Sequence, residues 1–178
     1  MSVRVAESAG FCFGVSRAVE LVEQAAKAGK KVVTLGPIIH NHHVVDKFRA
    51  LGVEVIDTPE QACPGQTVII RSHGVSRAVY EELQRRGVEI IDATCPFVKR
   101  IHGIVSRAEE EGQLPVIIGT PTHPEVEGIA GWCRDCRVFE TLDGLKNWAY
   151  SKEDLKNSPI SMVSQTTLTE SLWKMCGE

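Results

Sequence analysis

Short apolar runs alternate with stretches of helical periodicity along nearly the whole chain, and this alternation limits the fold more than any other feature of the sequence. The runs fall at residues 3–6, 31–35, 53–56, 67–70, 88–91, 115–118, 137–139 and 160–163, each the length of a short strand. Between them, Val15, Ala18, Val19, Val22, Ala25 and Ala26 keep helical spacing, as do Val44, Phe48 and Leu51, then Val79 and Leu83, then Val98, Ile101, Val105 and Ala108. Gly29, Gly52, Gly87 and Gly112 close these helices, and Ser76 and Thr169 stand where N-caps belong. Shorter helices are expected over residues 124–132 and 142–149. Strand–helix alternation implies parallel sheets joined by right-handed crossovers, so the class is α/β.

At 178 residues, 43% of them hydrophobic, the chain holds enough apolar material for one large core or two small ones. The spacing suggests two similar domains, residues 1–95 with a loop around Cys12, and residues 96–178. A formal net charge of -3 with scattered basic residues gives no reason to expect nucleic acid or a membrane surface as partner. No apolar run approaches the roughly 18 residues of a membrane span, and the N-terminus has no export-signal pattern, so a cytoplasmic location is expected. Six cysteines are too sparse for a disulfide scaffold and read as free thiols or metal ligands.

In α/β sheets, ligands gather beyond the carboxyl ends of the strands, and the polar residues of this chain fall there. His40 and Asn41 follow one strand; Ser72, His73 and Gly74 follow another; Thr122, His123, Pro124 and Glu125 a third; Gln165, Thr166 and Thr167 a fourth. Each set precedes a helix start, where free N–H groups and partial positive charge suit an anion such as phosphate. One such histidine would ordinarily be a helix cap; three in equivalent places suggest one shared pocket. Glu125 would ordinarily complement a helix dipole, but beside those histidines it is also a candidate proton donor or acceptor.

Cys12 and Cys95 stand at strand-to-helix turns, where a helix N-terminus favours a thiolate, and both are candidate metal ligands. Cys133 and Cys136 form a CxxC pair that could bind zinc or cycle as a dithiol; without a second pair they read as adventitious, and Cys176 as packed inward. His42, His43 and His102 are expected to be surface or helix residues.

Taken in order, Gly10-Phe11-Cys12 with Gly14 and Val15, His40-Asn41, Ser72-His73-Gly74-Val75-Ser76, Asp92-Ala93-Thr94-Cys95-Pro96, His123-Pro124-Glu125-Val126-Glu127-Gly128 and Gln165-Thr166-Thr167-Leu168 resemble the 4-hydroxy-3-methylbut-2-enyl diphosphate reductase family. The resemblance implies a pseudo-threefold architecture of three α/β domains whose third domain lies outside this chain, so that the 178 residues are expected to be a fragment, inactive alone. It implies reductive dehydroxylation of the allylic diphosphate to isopentenyl and dimethylallyl diphosphate, the last step of the methylerythritol phosphate route, with ferredoxin or flavodoxin as electron donor. It implies a [4Fe–4S] cluster with Cys12 and Cys95 as two ligands and a third cysteine absent here. By the same motifs His40, His73 and His123 would meet the diphosphate, Glu125 would relay protons, and Thr166 would lie near the substrate hydroxyl. The competing readings are a zinc hydrolase using the histidines with Glu125 as base, and a non-catalytic module binding a phosphorylated metabolite.

Overall fold

The structure, a computed structural model, describes residues 2–7, 9–39, 41–151 and 159–178. It divides into two compact units, Met1–Ser72 with Val88–Cys95, and His73–Gly87 with Pro96–Glu178.

The first unit contains α1 (Phe13–Lys27), β1 (Val32–Leu35), α2 (His42–Ala50), β2 (Glu54–Ile56), β3 (Thr67–Ile70) and β4 (Glu89–Asp92). Its sheet is parallel, in the order β2-β1-β3-β4. The two central strands are buried along their whole length, which is why Val32-Val33-Thr34-Leu35 and Thr67-Val68-Ile69-Ile70 are β-branched and apolar without alternation. Onto this sheet α1 lays its stripe of Ala18, Val22 and Ala25, and α2 adds Phe48, in one core with Val32, Ile38 and Ile69. Truncating a fully buried isoleucine such as Ile69 to alanine would cost about 2–5 kcal/mol. The Asn41 side chain caps α2 by accepting from the Val44 amide at 3.3 Å.

Residues 3–6, expected as a strand, are not one. Val3 and Val5 are 90% and 80% exposed, and the sheet's edges remain β2 and β4. Alternating valines suit a strand, but the pattern cannot supply the neighbouring backbone that a strand needs. A 3₁₀ turn at Pro59–Gln61 was not anticipated; the Gln61 side chain secures it by accepting from the Asp57 amide at 2.7 Å.

The second unit contains α3 (Arg77–Arg85), α4 (Pro96–Glu110), β5 (Leu114–Ile118), α5 (Pro124–Ala130), β6 (Arg137–Phe139), α6 (Leu142–Ser151), β7 (Ile160–Ser164) and α7 (Glu170–Gly177). Its parallel sheet runs β6-β5-β7. The core joins Val105, Ile117, Val126, Ile129 and Val163. Residues 73–87 group with this unit, whereas a contiguous division at residue 95 would leave them with the first. Local bonds explain the grouping: the Trp132 indole donates to the Val75 carbonyl at 2.8 Å, and Arg77 donates through its backbone N–H to Gly131 and through its guanidinium to Ser106. His102 lies on α4 but is buried, stacked on Trp132 with ring centroids 5.2 Å apart, because it shares the face of Val98 and Val105. Thr169 occupies the N-cap of α7, though its hydroxyl makes no capping bond. No described helix is long and apolar enough to cross a membrane.

Candidate active site

In the second unit the polar residues assemble where β5 and β7 end side by side. These strands pair so that Ile118 faces Ser164, and the segments leaving them therefore start as neighbours. After β5 a turn closed by the His123 amide on the Thr120 carbonyl sets His123 as N-cap of α5, with Pro124 at the first helical position. The His123 Nδ1 accepts from the Glu125 amide at 3.2 Å, which leaves the proton of a neutral ring on Nε2.

Glu125 is only 3% exposed. A buried carboxylate is costly unless its oxygens are bonded, and both are: Oε1 accepts the Thr166 amide at 2.5 Å and Oε2 accepts the Thr166 hydroxyl at 2.8 Å. Thr166 stands just past β7, so the pair bridges the ends of adjacent strands. Gln165 adds a second bridge, its Oε1 accepting from the Thr120 amide at 3.2 Å. His73 meets His123 edge-on, with centroids 5.6 Å apart and planes at 81°. Gly128 of α5 lies beside the same segment, where a Cβ would be in ordinary contact, 3.5 Å from the His73 carbonyl oxygen and 3.6 Å from Val75 N. Thus His73, His123, Glu125 and Thr166 stand in one unit, with His73 against His123 and Glu125 held by Thr166.

In the first unit Cys12 is exposed and is the N-cap of α1, its carbonyl accepting from Ser16. Cys95 is half-buried, and its amide donates to the Ser72 carbonyl at 2.9 Å. The two turns meet at Gly14: a Cβ there would lie 2.7 Å from the Cys95 Sγ. Arg17, one turn further along α1, reaches the same loop and donates to the carbonyls of Asp92 and Thr94, each at 3.3 Å. Gly14, two residues past Cys12, thus packs against Cys95 within this unit. Arg17 was not anticipated as a site residue; the only signal was a basic residue one turn past a helix-capping cysteine, which is too common to single out.

His40 lies outside the described residues. Among the described residues, no group of three or more His, Cys, Asp or Glu side chains could hold a metal ion. Within the histidine pair this follows from the bonding, because Glu125 spends both oxygens on Thr166 and His123 spends Nδ1 on its own helix. A cavity of about 430 Å³ beside β2, lined by Thr34, Ile38, Phe48, Arg49 and Glu54 among others, includes none of the candidate residues.

The family model described as LytB protein matches residues 3–178. Curated proteins named 4-hydroxy-3-methylbut-2-enyl diphosphate reductase are similar throughout: that of Thermoanaerobacter sp. (strain X514) is 44% identical and that of Aquifex aeolicus (strain VF5) 43%, each over 98% of this chain and 60% of its own length. The chain thus spans about 60% of the length of these relatives. Among solved structures, one titled as (E)-4-hydroxy-3-methyl-but-2-enyl diphosphate reductase, the terminal enzyme of the non-mevalonate pathway, superposes with a TM-score of 0.82 at 42% identity, covering 98% of this chain and 61% of that one. A structure titled as the E-1-hydroxy-2-methyl-but-2-enyl-4-diphosphate reductase from Plasmodium falciparum gives 0.87 at 28% identity, covering 96% of this chain and 53% of that one.

Proposed function

The chain belongs to the LytB protein family, and from that premise we propose that it acts in the reductive dehydroxylation of 4-hydroxy-3-methylbut-2-enyl diphosphate to isopentenyl and dimethylallyl diphosphate, in the cytoplasm. The observation that carries this reading is the buried Glu125, bonded twice by Thr166 within a unit that also sets His73 against His123. That arrangement pairs a proton store with donors suited to an anion.

In this reading His123, through its Nε2–H, and His73 bind the diphosphate, with His40 as a third donor. Once it has taken up a proton, Glu125 would donate from Oε2 to the Thr166 Oγ1 by reversal of the same 2.8 Å bond; the Thr166 hydroxyl proton then moves on to the substrate hydroxyl, which makes water the leaving group in place of hydroxide. Burial keeps bulk water from competing for that proton.

Cys12 and Cys95 would hold a [4Fe–4S] cluster, with a third cysteine from outside these 178 residues. The fit is favourable: Cys12 is the N-cap residue of α1, Cys95 stands in the turn from β4 to α4, and the missing side chain at Gly14 leaves room beside the Cys95 sulfur. When bound, such a cluster supplies two electrons, received from ferredoxin or flavodoxin, and an iron with an open position that acts as a Lewis acid on the hydroxyl oxygen.

The test is anaerobic reconstitution of the full-length protein with iron and sulfide, with and without Cys95→Ser. The variant should fold normally by circular dichroism yet lose both the cluster's visible absorbance and turnover. Unchanged turnover would reject the assignment.

A further inference from the structure

Cys133 and Cys136 lie in the turn between α5 and β6 and take no part in the site described above. Both are half-buried, and both pack against the core of Val105, Ile117, Val126, Ile129 and Val163. With only two residues between them in one turn, each thiol shifts the other's proton affinity. The two intervening residues are clamped from below, because the amides of Arg134 and Asp135 both donate to Glu109 Oε1, at 2.5 and 3.4 Å. At one end Trp132 anchors the turn through its indole bond to Val75; at the other, the Arg137 guanidinium donates to the Cys136 carbonyl at 3.0 Å. Two thiols carried on a turn fixed by these bonds need little further ordering to join.

The surroundings also make the two thiols unequal. Cys133 follows the C-terminal end of α5, its Sγ 3.4 Å from the Ala130 carbonyl oxygen, where the helix carries partial negative charge. Its hydrogen bond to Cys136, burial, and the carboxylates of Glu109 and Asp135 push its thiol far above the ordinary range. Cys136 receives that same hydrogen bond and lies beside the Arg137 guanidinium, which together bring it down to about 7 against burial and the same two carboxylates. One sulfur is thus prepared as nucleophile and the other as a protonated resolving thiol.

We infer that Cys133 and Cys136 are a thiol–disulfide exchange couple whose co-reactant is a disulfide. The Cys136 thiolate attacks one sulfur of the external disulfide, forming a mixed disulfide and expelling one thiolate, which takes up a proton. Cys133 then gives up its proton and attacks the Cys136 sulfur, expelling the second thiolate. The dithiol loses two electrons and two protons; the external disulfide gains them and leaves as two thiols.

Oxidised glutathione is the probe, added in excess to the native protein at pH 7 without oxygen. Trypsin cuts after Arg107, Arg134 and Arg137, so the closed couple joins peptide 108–134 to peptide 135–137, each with a single cysteine. This linked pair should form with release of two glutathione molecules per chain and should disappear with dithiothreitol. With Cys133→Ser the reaction should stop with glutathione on Cys136. In the unoxidised protein, limiting iodoacetamide should label Cys136 at least ~10-fold faster than Cys133. Glutathione remaining on Cys136 of the unsubstituted protein, no linked pair, or equal labelling of the two thiols would each overturn the inference. So would tightly held zinc at the pair with no exchange.

Discussion

At the residue scale the structure turns on side chains that gain meaning only from one partner. Glu125 alone is a first-turn carboxylate on a helix; with both oxygens engaged by Thr166 it is buried and oriented, as the proton carrier of the proposed reaction would have to be. Glu125→Gln keeps the shape and one acceptor but removes the exchangeable proton. It should leave the substrate Kd within about 3-fold while kcat falls by at least ~100-fold, the scale of general acid catalysis. Binding assays beside single-turnover kinetics would separate the two, and a loss of affinity alone would make Glu125 a binding group. Thr166→Val removes only the 2.8 Å hydroxyl bond and should lower unfolding free energy by about 1–3 kcal/mol in denaturant titrations. Gly14 is the counterpart beside the cysteines. A methyl at that position would meet the Cys95 Sγ at 2.7 Å, so Gly14→Ala should reduce the iron retained after reconstitution, measured per folded chain. Glu125 and Thr166 could each be singled out in the sequence by their motifs, but not their pairing. Forty-one residues separate them, and only the adjacency of β5 and β7 closes that distance.

At the element scale, strand and helix periods placed most secondary structure within a residue or two, because β1, β3 and β5 are buried on both faces and their apolar runs leave little alternative. Residues 3–6 show the limit of that signal, since their pattern is strand-like but pairing is a property of two segments. Residues 73–87 show another limit. Nothing in their composition tells which sheet α3 accompanies; the decision lies in the close approach of Ser76 to Gly131. A Cβ on Gly131 would fall 2.1 Å from the Ser76 Cβ and 2.9 Å from its Cα. Gly131→Ala should therefore destabilise by about 1–3 kcal/mol, and Ser76→Ala should not rescue it, since the clash is with the backbone as well. Ser76→Ala alone should cost about 1 kcal/mol through loss of the cap on Val79. Acid sensitivity also belongs here. Hydrogen bonds from Lys30 and then Thr67 hold Glu89 below its ordinary value of 4.5, and Lys47 does the same for Glu23, tying α2 to α1. A depressed carboxylate stabilises the fold above its unfolded pKa, and that contribution is lost as pH falls through the folded one. Melting temperature should thus stay level from pH 7 down to roughly 5 and decline below 4.5. A decline beginning at pH 6 would point instead to a histidine.

At the scale of the whole molecule the two units repeat one plan. In each, the first strand is central, the second lies on one side and the third on the other, giving β2-β1-β3 and β6-β5-β7; the first unit then adds β4. The repeat was legible as alternation, but the strand order was not, because sequence order does not say on which side a crossover lands. It extends to single positions. Gly36 follows β1 and Gly119 follows β5, and the pairings Leu35 with Ile70 and Ile118 with Ser164 set Arg71 beside the one glycine and Gln165 beside the other. The two glycines answer different demands. Gly36 has φ +71, where any other residue is strained, and a Cβ there would meet only the far end of Arg71, with Nη1 at 2.7 Å. Gly119 is required by space: a Cβ would lie 2.8 Å from Val126 Cγ2 and 2.9 Å from the Gln165 Cβ. Double-mutant cycles should separate the causes. Gly36→Ala should cost about 1–2 kcal/mol, with less than about 0.5 kcal/mol coupling to Arg71→Ala, since backbone strain is indifferent to the side chain opposite. Gly119→Ala should cost about 1–3 kcal/mol and should also lower turnover, because it displaces Gln165 and with it Thr166 from Glu125. Trimming its neighbour by Val126→Ala should recover part of the stability, a coupling above about 0.5 kcal/mol. If Gly36→Ala couples strongly to Arg71, or Gly119→Ala is indifferent to Val126, the glycines of the repeat are there for some other reason than conformation at one and close approach at the other.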